Sequence, residues 1–300
     1  MGRGLSFSAL STLTSQLSIF PVNLYDAHQH FHFDQLTPHR AAIDADLRRL
    51  GVKRAVVNGT NEEEWPVVAA LAQEYDWILP SHGMHPWDSG NRSANWLDAL
   101  RAQLSADPRA AVGEIGLDRW IIDGLRPDDP RIAGLRVASL AEQSEVFAAQ
   151  LALAAELNRA ASIHCVQAWG TLLDLLKKSA RPARGFLLHG YAGPAEMIKP
   201  FTELGAYYSF NIQLLEPRHA ARLNNFRHIP GKRLLVETDA PAKAPTPDRN
   251  RFPLDPGPAG AVINHPANIG VAYEVLAELR GQALETLAGQ VEVNFIRLFG

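Results

Sequence analysis

Short apolar segments alternate with longer amphipathic segments along most of this chain. From Val22 onward, eight runs rich in apolar residues are predicted to be strands, and the connections between them are long enough to hold helices. Alternation of this kind is typical of parallel α/β folds, in which helices cover the sheet. The predicted strands are Asn23–His28, Arg54–Gly59, Ile78–Gly83, Ala111–Leu117, Ala161–Val166, Gly185–Gly190, Ala206–Ile212 and Leu234–Thr238.

The connections show the spacing of amphipathic helices. Val146, Leu151 and Leu153, for example, recur at helical intervals opposite polar glutamates. Eight β/α units in 300 residues predict an α/β fold of the (β/α)8 TIM-barrel type. An open doubly wound sheet is the alternative, but it would need a glycine-rich phosphate turn near the first strand, and the sequence has none. The predicted helices are Pro38–Leu50, Glu62–Glu74, Ser93–Leu104, Glu142–Asn158, Thr171–Lys178, Glu196–Glu203, Pro266–Arg280 and Leu284–Phe299.

The repeated pattern of strands and helices begins only at Val22. Residues 1–21 are rich in Ser, Thr and Leu, and Arg3 is their only charged residue. They lack the apolar core and cleavage site of a secretory signal, and they have too few basic residues for a transit peptide. We therefore expect residues 1–21 to be a poorly ordered extension and residues 22–300 to form a single barrel domain.

Two connections are much longer than the others. They are Asp118–Leu140 and Ala240–Asn264, and the second contains six prolines. Loops of this length are usually functional lids or disordered inserts. Because barrel active sites lie at the carboxyl ends of the strands, the second connection is expected to hang over the barrel mouth.

Composition describes an ordinary globular protein. The chain is 46% hydrophobic and 20% charged, with a formal net charge of −3. No global basic excess favours nucleic acid, so such a substrate must be held by local groups. The single Cys165 excludes an intrachain disulfide and suits a reducing compartment, and no apolar run approaches the length of a membrane span. We therefore expect a cytoplasmic protein without a membrane partner.

Candidate chemistry is concentrated at the ends of the predicted strands. Strand alternation places Asp26, His28 and His30 on one side of the pleat. Two imidazoles placed in this way can converge on one cation, although a polar strand end with surface histidines fits this motif equally well. Asp26 is expected behind the ligands, where it could orient a histidine. The other metal-capable residues at strand ends are Glu114, His164, His189 and Asp239.

Each of these residues alone also has a structural explanation, as a satisfied core histidine, a turn residue or a helix cap. Together, four imidazoles and two carboxylates lie at strand ends that a barrel would bring close to one another. This combination of ligands suits zinc or manganese, and magnesium with more water. The sequence therefore predicts a metal centre at the barrel mouth.

The sequence resembles the TatD family of metal-dependent hydrolases, within the amidohydrolase-like barrels. Glu-Ile-Gly-Leu-Asp and Glu-Thr-Asp-Ala-Pro are specific when both occur, whereas Asp-x-His-x-His is shared with many relatives. The matching motifs follow the family order from Asp26 to the C-terminus. They are Asp26-Ala27-His28-Gln29-His30, Gly83-Met84-His85-Pro86, Gly113-Glu114-Ile115-Gly116-Leu117-Asp118, Ile163-His164, His189-Gly190-Tyr191-Ala192-Gly193 and Glu237-Thr238-Asp239-Ala240-Pro241.

The resemblance implies a barrel of the metallo-dependent hydrolase type with two divalent cations (magnesium, manganese or zinc). Two cations about 4 Å apart can clamp the attacking and leaving oxygens of a phosphodiester and activate a water. Asp239, within reach of that water, would be the general base, so Asp239 and the bridging Glu114 are the predicted catalytic residues. The first cation would be held by His28, His30, Glu114 and Asp239, and the second by Glu114, His164 and His189.

The activity that the resemblance implies is phosphodiester hydrolysis of DNA, of the 3′-5′ exonuclease type. His85 would contact a substrate phosphate, and its alternative role is that of a helix-entry residue packed on its neighbours. The sequence departs from the family at Val166, where an arginine is common, and at His265, where Asn-Glu-Pro is common. Arg119 is the first candidate for the missing charge. Lys243, Arg249 and Arg251 are further candidates for that charge. Trp120 and Trp169 could stack on a base, and their alternative role is packing in the core.

Two other classes of function stay open. The same metals could hydrolyse a small C–N or ester substrate in an amidohydrolase-type reaction, and a barrel kept only for binding is the third class. Six intact ligands argue against the binding class. The expected partner is DNA or a small phosphodiester or ester, and a monomer and a small homo-oligomer are both compatible with the sequence.

Overall fold

The structure is a computed structural model that describes residues 22–257 and 260–300. The extension predicted for residues 1–21 lies outside the described residues. Eight strands form one parallel sheet in the order β1 to β8, and each strand is hydrogen-bonded to the next. The strands are β1 (Leu24–Gln29), β2 (Val52–Gly59), β3 (Ile78–His82), β4 (Ala111–Asp118), β5 (Ala161–Val166), β6 (Phe186–Leu188), β7 (Ala206–Phe210) and β8 (Leu234–Val236).

Helices connect successive strands and surround the sheet, which confirms the (β/α)8 TIM barrel. Every predicted strand and helix is present, with ends that differ by at most three residues, and the short helices α4 and α8 are additional. Short 3-10 helices occupy 34–39, 89–91, 130–132, 195–197, 212–215, 217–219, 231–233 and 266–268. The helices are α1 (Arg40–Leu50), α2 (Glu64–Glu74), α3 (Trp96–Ala106), α4 (Trp120–Asp123), α5 (Leu140–Glu156), α6 (Trp169–Lys178), α7 (Ile198–Glu203), α8 (Ala220–Asn225), α9 (Ile269–Arg280) and α10 (Leu284–Phe299).

The barrel is closed at its carboxyl end by bonds between β1 and the chain that follows β8. The Asp239 N–H donates to the His28 carbonyl at 2.9 Å, and the His30 N–H donates to the Ala240 carbonyl at 2.7 Å. The buried Asp26 carboxylate accepts bonds from the N–H (3.1 Å) and hydroxyl (2.6 Å) of Thr238. Asp26 also accepts from the backbone N–H of His28, so it fixes β1 to β8 and contacts no imidazole, unlike the expectation from the sequence.

Close approach of β4 and β5 brings their ligand residues together. Gly116 has φ +149°, and a Cβ at this position would lie 2.0 Å from the His164 carbonyl oxygen. Only glycine fits such an approach. A substitution at Gly116 would therefore push His164 away from Glu114, two residues earlier on β4.

The two long connections both leave the barrel at its carboxyl end. The connection 119–139 contains α4, and Arg136 joins it to α5 through Glu142 and to the β3–α3 connection through the Gly90 carbonyl. In the second connection, backbone bonds run from Asn264 to Pro241 and from Arg251 to the Asn268 side chain. The bond from Arg251 thus attaches this second connection to the residue just before α9.

Candidate metal centre

The first predicted ligand group comes together at the carboxyl ends of β1, β4 and β8. The Nε2 atoms of His28 and His30 lie 3.3 Å apart, and they lie 3.2 and 3.3 Å from Oε2 of Glu114. Oδ1 of Asp239 lies 3.9 Å from the first imidazole nitrogen and 3.6 Å from the second. We call His28, His30 and Asp239, together with this Glu114 oxygen, the inner group.

A second group surrounds the other oxygen of the same carboxylate. Oε1 of Glu114 lies 2.8 Å from Nε2 of His189, 2.9 Å from Nδ1 of His164 and 3.5 Å from Nε2 of His85. The rings of His28 and His189 are stacked with centroids 3.9 Å apart, so the two groups adjoin. We call His164, His189 and His85, with this oxygen, the outer group.

The spacing of the inner-group ligand atoms fits a bound cation. Ligand atoms at about 2.0–2.1 Å from a tetrahedral zinc ion lie about 3.3 Å from one another. The inner-group separations of 3.2–3.9 Å agree with this spacing. The structure brings all six predicted ligands into these two groups, with Glu114 between them.

The electrostatics of the centre also suit cations. Although burial alone would raise it, the surrounding imidazoles hold the pKa of Glu114 well below its usual range. The pKa of Asp239 is lowered to about 2 against the effect of burial, chiefly by its bond to His30. Burial would lower the pKa of His30, but the two carboxylates outweigh it and raise the pKa to about 10. Both carboxylates are therefore ionised and attract positive charge at this site.

The inner imidazoles are held from behind by neutral groups. Nδ1 of His28 lies 2.9 Å from Oγ of Ser162, and Nδ1 of His30 lies 2.8 Å from the carbonyl oxygen of Asn58. A carbonyl only accepts, so Nδ1 of His30 carries a proton, and Nε2 is the nitrogen that would give up its proton to a bound cation. Support of this kind fixes the orientation and tautomer of a metal-binding imidazole.

The outer imidazoles are held by carboxylates that our sequence reasoning missed. Oδ2 of Asp118 lies 3.2 Å from Nε2 of His164 and accepts a 2.7 Å bond from the indole N–H of Trp87. Gln143 on α5 fixes the Asp118 backbone by accepting from its N–H and donating to its carbonyl. A signal was present, because strand alternation places Asp118 on the same face of β4 as Glu114.

Glu237 lies behind the second outer imidazole, that of His189, but is too distant for a hydrogen bond. Its Oε1 lies 3.6 Å from Nδ1 of His189, and its Oε2 accepts a 2.5 Å bond from the hydroxyl of Ser209. Glu237 is completely buried at the end of β8. In the sequence, Glu237 stands two residues before Asp239 near the end of the predicted strand Leu234–Thr238, and that spacing is the signal that could have identified it.

Two of the four basic residues predicted to contact substrate are already paired with carboxylates. Nε of Arg119 donates to Asp123 at 2.7 Å, at the exposed start of α4. The Arg251 guanidinium forms two bonds to Glu274 on α9. The remaining two candidates in the second long connection are Lys243 and Arg249, which form no ion pair within residues 22–257 and 260–300.

The two departures from the family pattern have different surroundings. Val166 ends β5 two residues after His164, so it faces the barrel mouth in the same direction. His265 lies away from both ligand groups: its Nδ1 accepts from the Ala267 N–H, and its Nε2 lies 3.4 Å from Asp46. The substitution at His265 therefore affects a turn before α9, whereas Val166 changes the wall of the site.

The two tryptophans predicted to stack on a base have different surroundings. Trp169 packs against Tyr191 at 5.0 Å and Phe201 at 6.2 Å between ring centroids, which is a core role. Trp120 stacks with Trp87, with centroids 6.2 Å apart and an angle of 29°. Only Trp120 is therefore placed beside the metal centre.

A parallel barrel with imidazole and carboxylate groups at its carboxyl end defines a metal-dependent hydrolase. The TatD related DNase family model matches residues 25–300, and the chain belongs to this family. Relatives include the metal-dependent hydrolase YabD of Bacillus subtilis, 27% identical over 277 residues, with 92% of this chain and 98% of that protein covered. The 3′-5′ ssDNA/RNA exonuclease TatD of Citrobacter koseri is 30% identical over 278 residues, covering 92% and 99%.

A solved structure agrees with these relatives. The crystal structure of YjjV, a TatD homolog from Escherichia coli K12, has a TM-score of 0.77 and 26% identity. The match covers 92% of this chain and 97% of the other. Among the helices of residues 22–257 and 260–300, none combines the length and apolar content needed to span a bilayer.

Proposed function

We propose that this hydrolase removes nucleotides from the 3′ end of single-stranded nucleic acid, DNA in the first place, with two divalent cations. The observation that carries the proposal is the division of Glu114, whose Oε2 faces the inner group and whose Oε1 faces the outer group. Relatives named 3′-5′ ssDNA/RNA exonuclease support the choice of substrate. Imidazole-rich groups favour manganese or zinc over magnesium.

The chain's own residues have distinct tasks in this reaction. When bound, the cations would polarise the scissile phosphate and lower the pKa of a water. Asp239 is ionised, and its carboxylate would take the proton of the attacking water as the general base. His85 lies at the rim of the outer group with 13% of its side chain exposed, where its Nε2 can donate to a phosphate oxygen.

A row of aromatic rings leads away from the outer group and could hold the bases of a single strand. The rings of His85 and Trp87 lie 6.3 Å apart, and Trp120 follows at 6.2 Å. The Arg131 guanidinium lies 4.8 Å above the Trp120 ring and is bonded to Asp129, so it adds a paired cation to the row. Aromatic platforms with nearby cations bind single strands with little sequence preference. This row would supply part of the substrate binding that is missing because Val166 replaces an arginine.

The alternative is hydrolysis of a small C–N or ester substrate. It is favoured by Val166, which contributes an apolar wall where an arginine would grip a phosphate. Arg119 does not replace that charge freely, because it is bonded to Asp123. We keep a reducing cytoplasm as the proposed location, because the one cysteine, Cys165, is buried and unpaired.

An assay of the metal-reconstituted protein on parallel substrates tests the proposal. We expect release of mononucleotides from single-stranded DNA with a free 3′ end, and much slower release when that end is blocked. A 5′-blocked strand is the matched control and should be degraded normally. Bis-p-nitrophenyl phosphate should be cleaved slowly. Hydrolysis of acylated amino acids without cleavage of either phosphodiester would contradict the proposal and favour the alternative.

A further inference from the structure

Two adjoining cavities open at the amino end of the barrel, opposite the metal centre. The first has a volume of about 280 Å³ and lies at the starts of β2 to β6 beside the end of α10. The second, of about 420 Å³, shares Arg54, Leu79, Phe299 and Gly300 with the first. We call the two together the amino-end cavity. Since the metal ligands lie at the carboxyl ends of the strands, it is separate from their site.

The side chains around this cavity have an unusual charge for this protein. No Asp or Glu of the described chain lines either part of it, although the whole protein has a formal net charge of −3. A concentration of one sign in a concave site focuses the field on ligands of the opposite sign. The cationic residues that line it are Lys53, Arg54, Arg109, Arg159 and Arg184.

Two of these cations have partners within the protein. Arg109 pairs with Asp107, with Nη2 2.6 Å from Oδ2. Nη1 of Arg184 donates to the Leu298 carbonyl at 3.3 Å and to the Gly300 carbonyl at 2.7 Å. The Nε–H of Arg184 is buried and has no acceptor in the described residues. Arg184 therefore retains an unused donor.

The other three cations have no carboxylate partner. Within residues 22–257 and 260–300, no carboxylate oxygen lies within 4.0 Å of the charged nitrogens of Lys53, Arg54 or Arg159. Residues 1–21 and 258–259 contain no Asp or Glu that could supply one. Burial, followed by the nearby Arg184, lowers the pKa of Arg159, as expected when like charges share a confined space. An anion would relieve this repulsion.

The remaining walls of the cavity define the kind of anion. Guanidinium groups match the geometry of phosphate oxygens, which they bind through paired, charge-assisted bonds. Ile78, Leu79 and Phe299 add an apolar side that could contact a sugar or a base. Each part, of about 280 and 420 Å³, lies near the lower end of the roughly 300–1,000 Å³ found for ligand pockets, so either part suits a ligand no larger than a mononucleotide.

We propose that the amino-end cavity binds a small phosphate-bearing anion, either inorganic phosphate or a nucleoside monophosphate, through Arg54, Arg159 and Arg184. The site is additional to the metal centre. It does not depend on the reaction proposed there, because none of its residues belongs to the inner or outer group.

Site-resolved arginine labelling tests this proposal on the full, metal-loaded chain. Phenylglyoxal modification is followed by peptide mass spectrometry with inorganic phosphate, AMP or a single-stranded oligonucleotide. A ligand present at about twice its Kd should slow labelling of Arg54 and Arg159 about threefold, because it occupies two-thirds of the sites. The matched control is Arg101, an exposed arginine paired with Glu156, whose labelling should not change.

The arms of the experiment separate the sources of the phosphate. Stronger protection by AMP than by phosphate supports a nucleotide site, and equal protection supports a phosphate site. Protection by neither anion, equal protection of Arg101, or protection by the oligonucleotide alone would overturn the proposal. As a second measurement, Arg159→Gln should lose most of the phosphate-dependent rise in Tm that wild type and Arg101→Gln share. An unchanged rise in Arg159→Gln would also overturn it.

Discussion

The inner and outer groups receive their negative charge in different ways. The inner group has two carboxylates in direct contact with the imidazole nitrogens, those of Glu114 and Asp239, and its imidazoles are backed by neutral oxygens. The outer group has only Glu114 in that position, but the carboxylates of Asp118 and Glu237 lie behind its imidazoles. Both groups can therefore balance a divalent cation. The outer group should depend more strongly on residues that never touch the cation.

The largest expected effect comes from the carboxylate that is special to the inner group. Asp239→Asn retains the shape of the side chain but removes a proton acceptor and a negative charge, so kcat should fall roughly 10²- to 10⁴-fold. The measurement is steady-state kinetics, accompanied by metal analysis of the same sample. Activity within a few-fold of wild type, with metal still bound, would remove Asp239 from the mechanism.

The next effect tests the outer group through a residue behind it. Asp118→Asn should lower the affinity for one of the two cations by roughly 10- to 100-fold and leave the affinity for the other unchanged. An effect of this size is usual for residues that orient a metal-binding histidine. Competition with a chelator measures the two affinities. Asp76→Asn, at an exposed carboxylate paired with Arg48, is the matched control. Equal weakening of both cations would contradict the division into two groups.

The asymmetry between the groups also explains what the sequence could reveal. Two members of the inner group, His28 and His30, stand two residues apart at the end of β1, so alternation suggested that they face the same cation. Asp118 and Glu237 lack such a local pairing, because their imidazole partners lie on neighbouring strands. Alternation gives the face on which Asp118 lies, but its imidazole partner follows from the register of β4 against β5, which sets Gly116 level with His164.

The fold was easier to predict than its details. Buried strands and amphipathic helices repeat with strong periodicity, which fixed the barrel and the order of its elements. Asp26 shows where pattern fails: its position suggested a link to an imidazole, but its carboxylate joins β1 to Thr238. The partners of Arg119 and Arg251 depend on helix surfaces that periodicity does not resolve.

A third effect separates cation ligands from histidines that are merely buried. His82 ends β3 outside both groups, and burial lowers its pKa to about 4. Because this folded-state pKa is below the usual 6.5, its contribution to stability is complete above pH 6.5 and is lost as pH falls toward 4. By pH 5 the loss is about 2 kcal/mol, or roughly 30-fold in the folding equilibrium.

Chemical denaturation of wild type and His82→Gln between pH 7 and 5 measures this contribution. The difference in unfolding free energy between them should shift by that amount, while the metal content of the variant stays at the wild-type value. Loss of a cation from His82→Gln would mean that the boundary of the outer group is drawn wrongly.

The smallest effect concerns the wall of the outer group. Val166→Arg places a guanidinium beside His164, and a new charge-assisted bond of about 1.5 kcal/mol would raise kcat/KM for phosphodiesters roughly tenfold. Val166→Gln is the neutral control of similar reach and should give little change. A variant that folds and binds metal but gains nothing would favour the smaller substrate of the alternative function.

The central claim is that one carboxylate serves both cations, and counting the cations tests it most directly. Elemental analysis of manganese-loaded protein, with anomalous diffraction to locate the ions, should find two per chain on opposite sides of Glu114. In Glu114→Ala both sites should lose occupancy, because each loses an oxygen that lies 2.8–3.5 Å from its imidazoles. Two fully occupied cations in Glu114→Ala, or a wild-type protein that holds only one, would contradict the account.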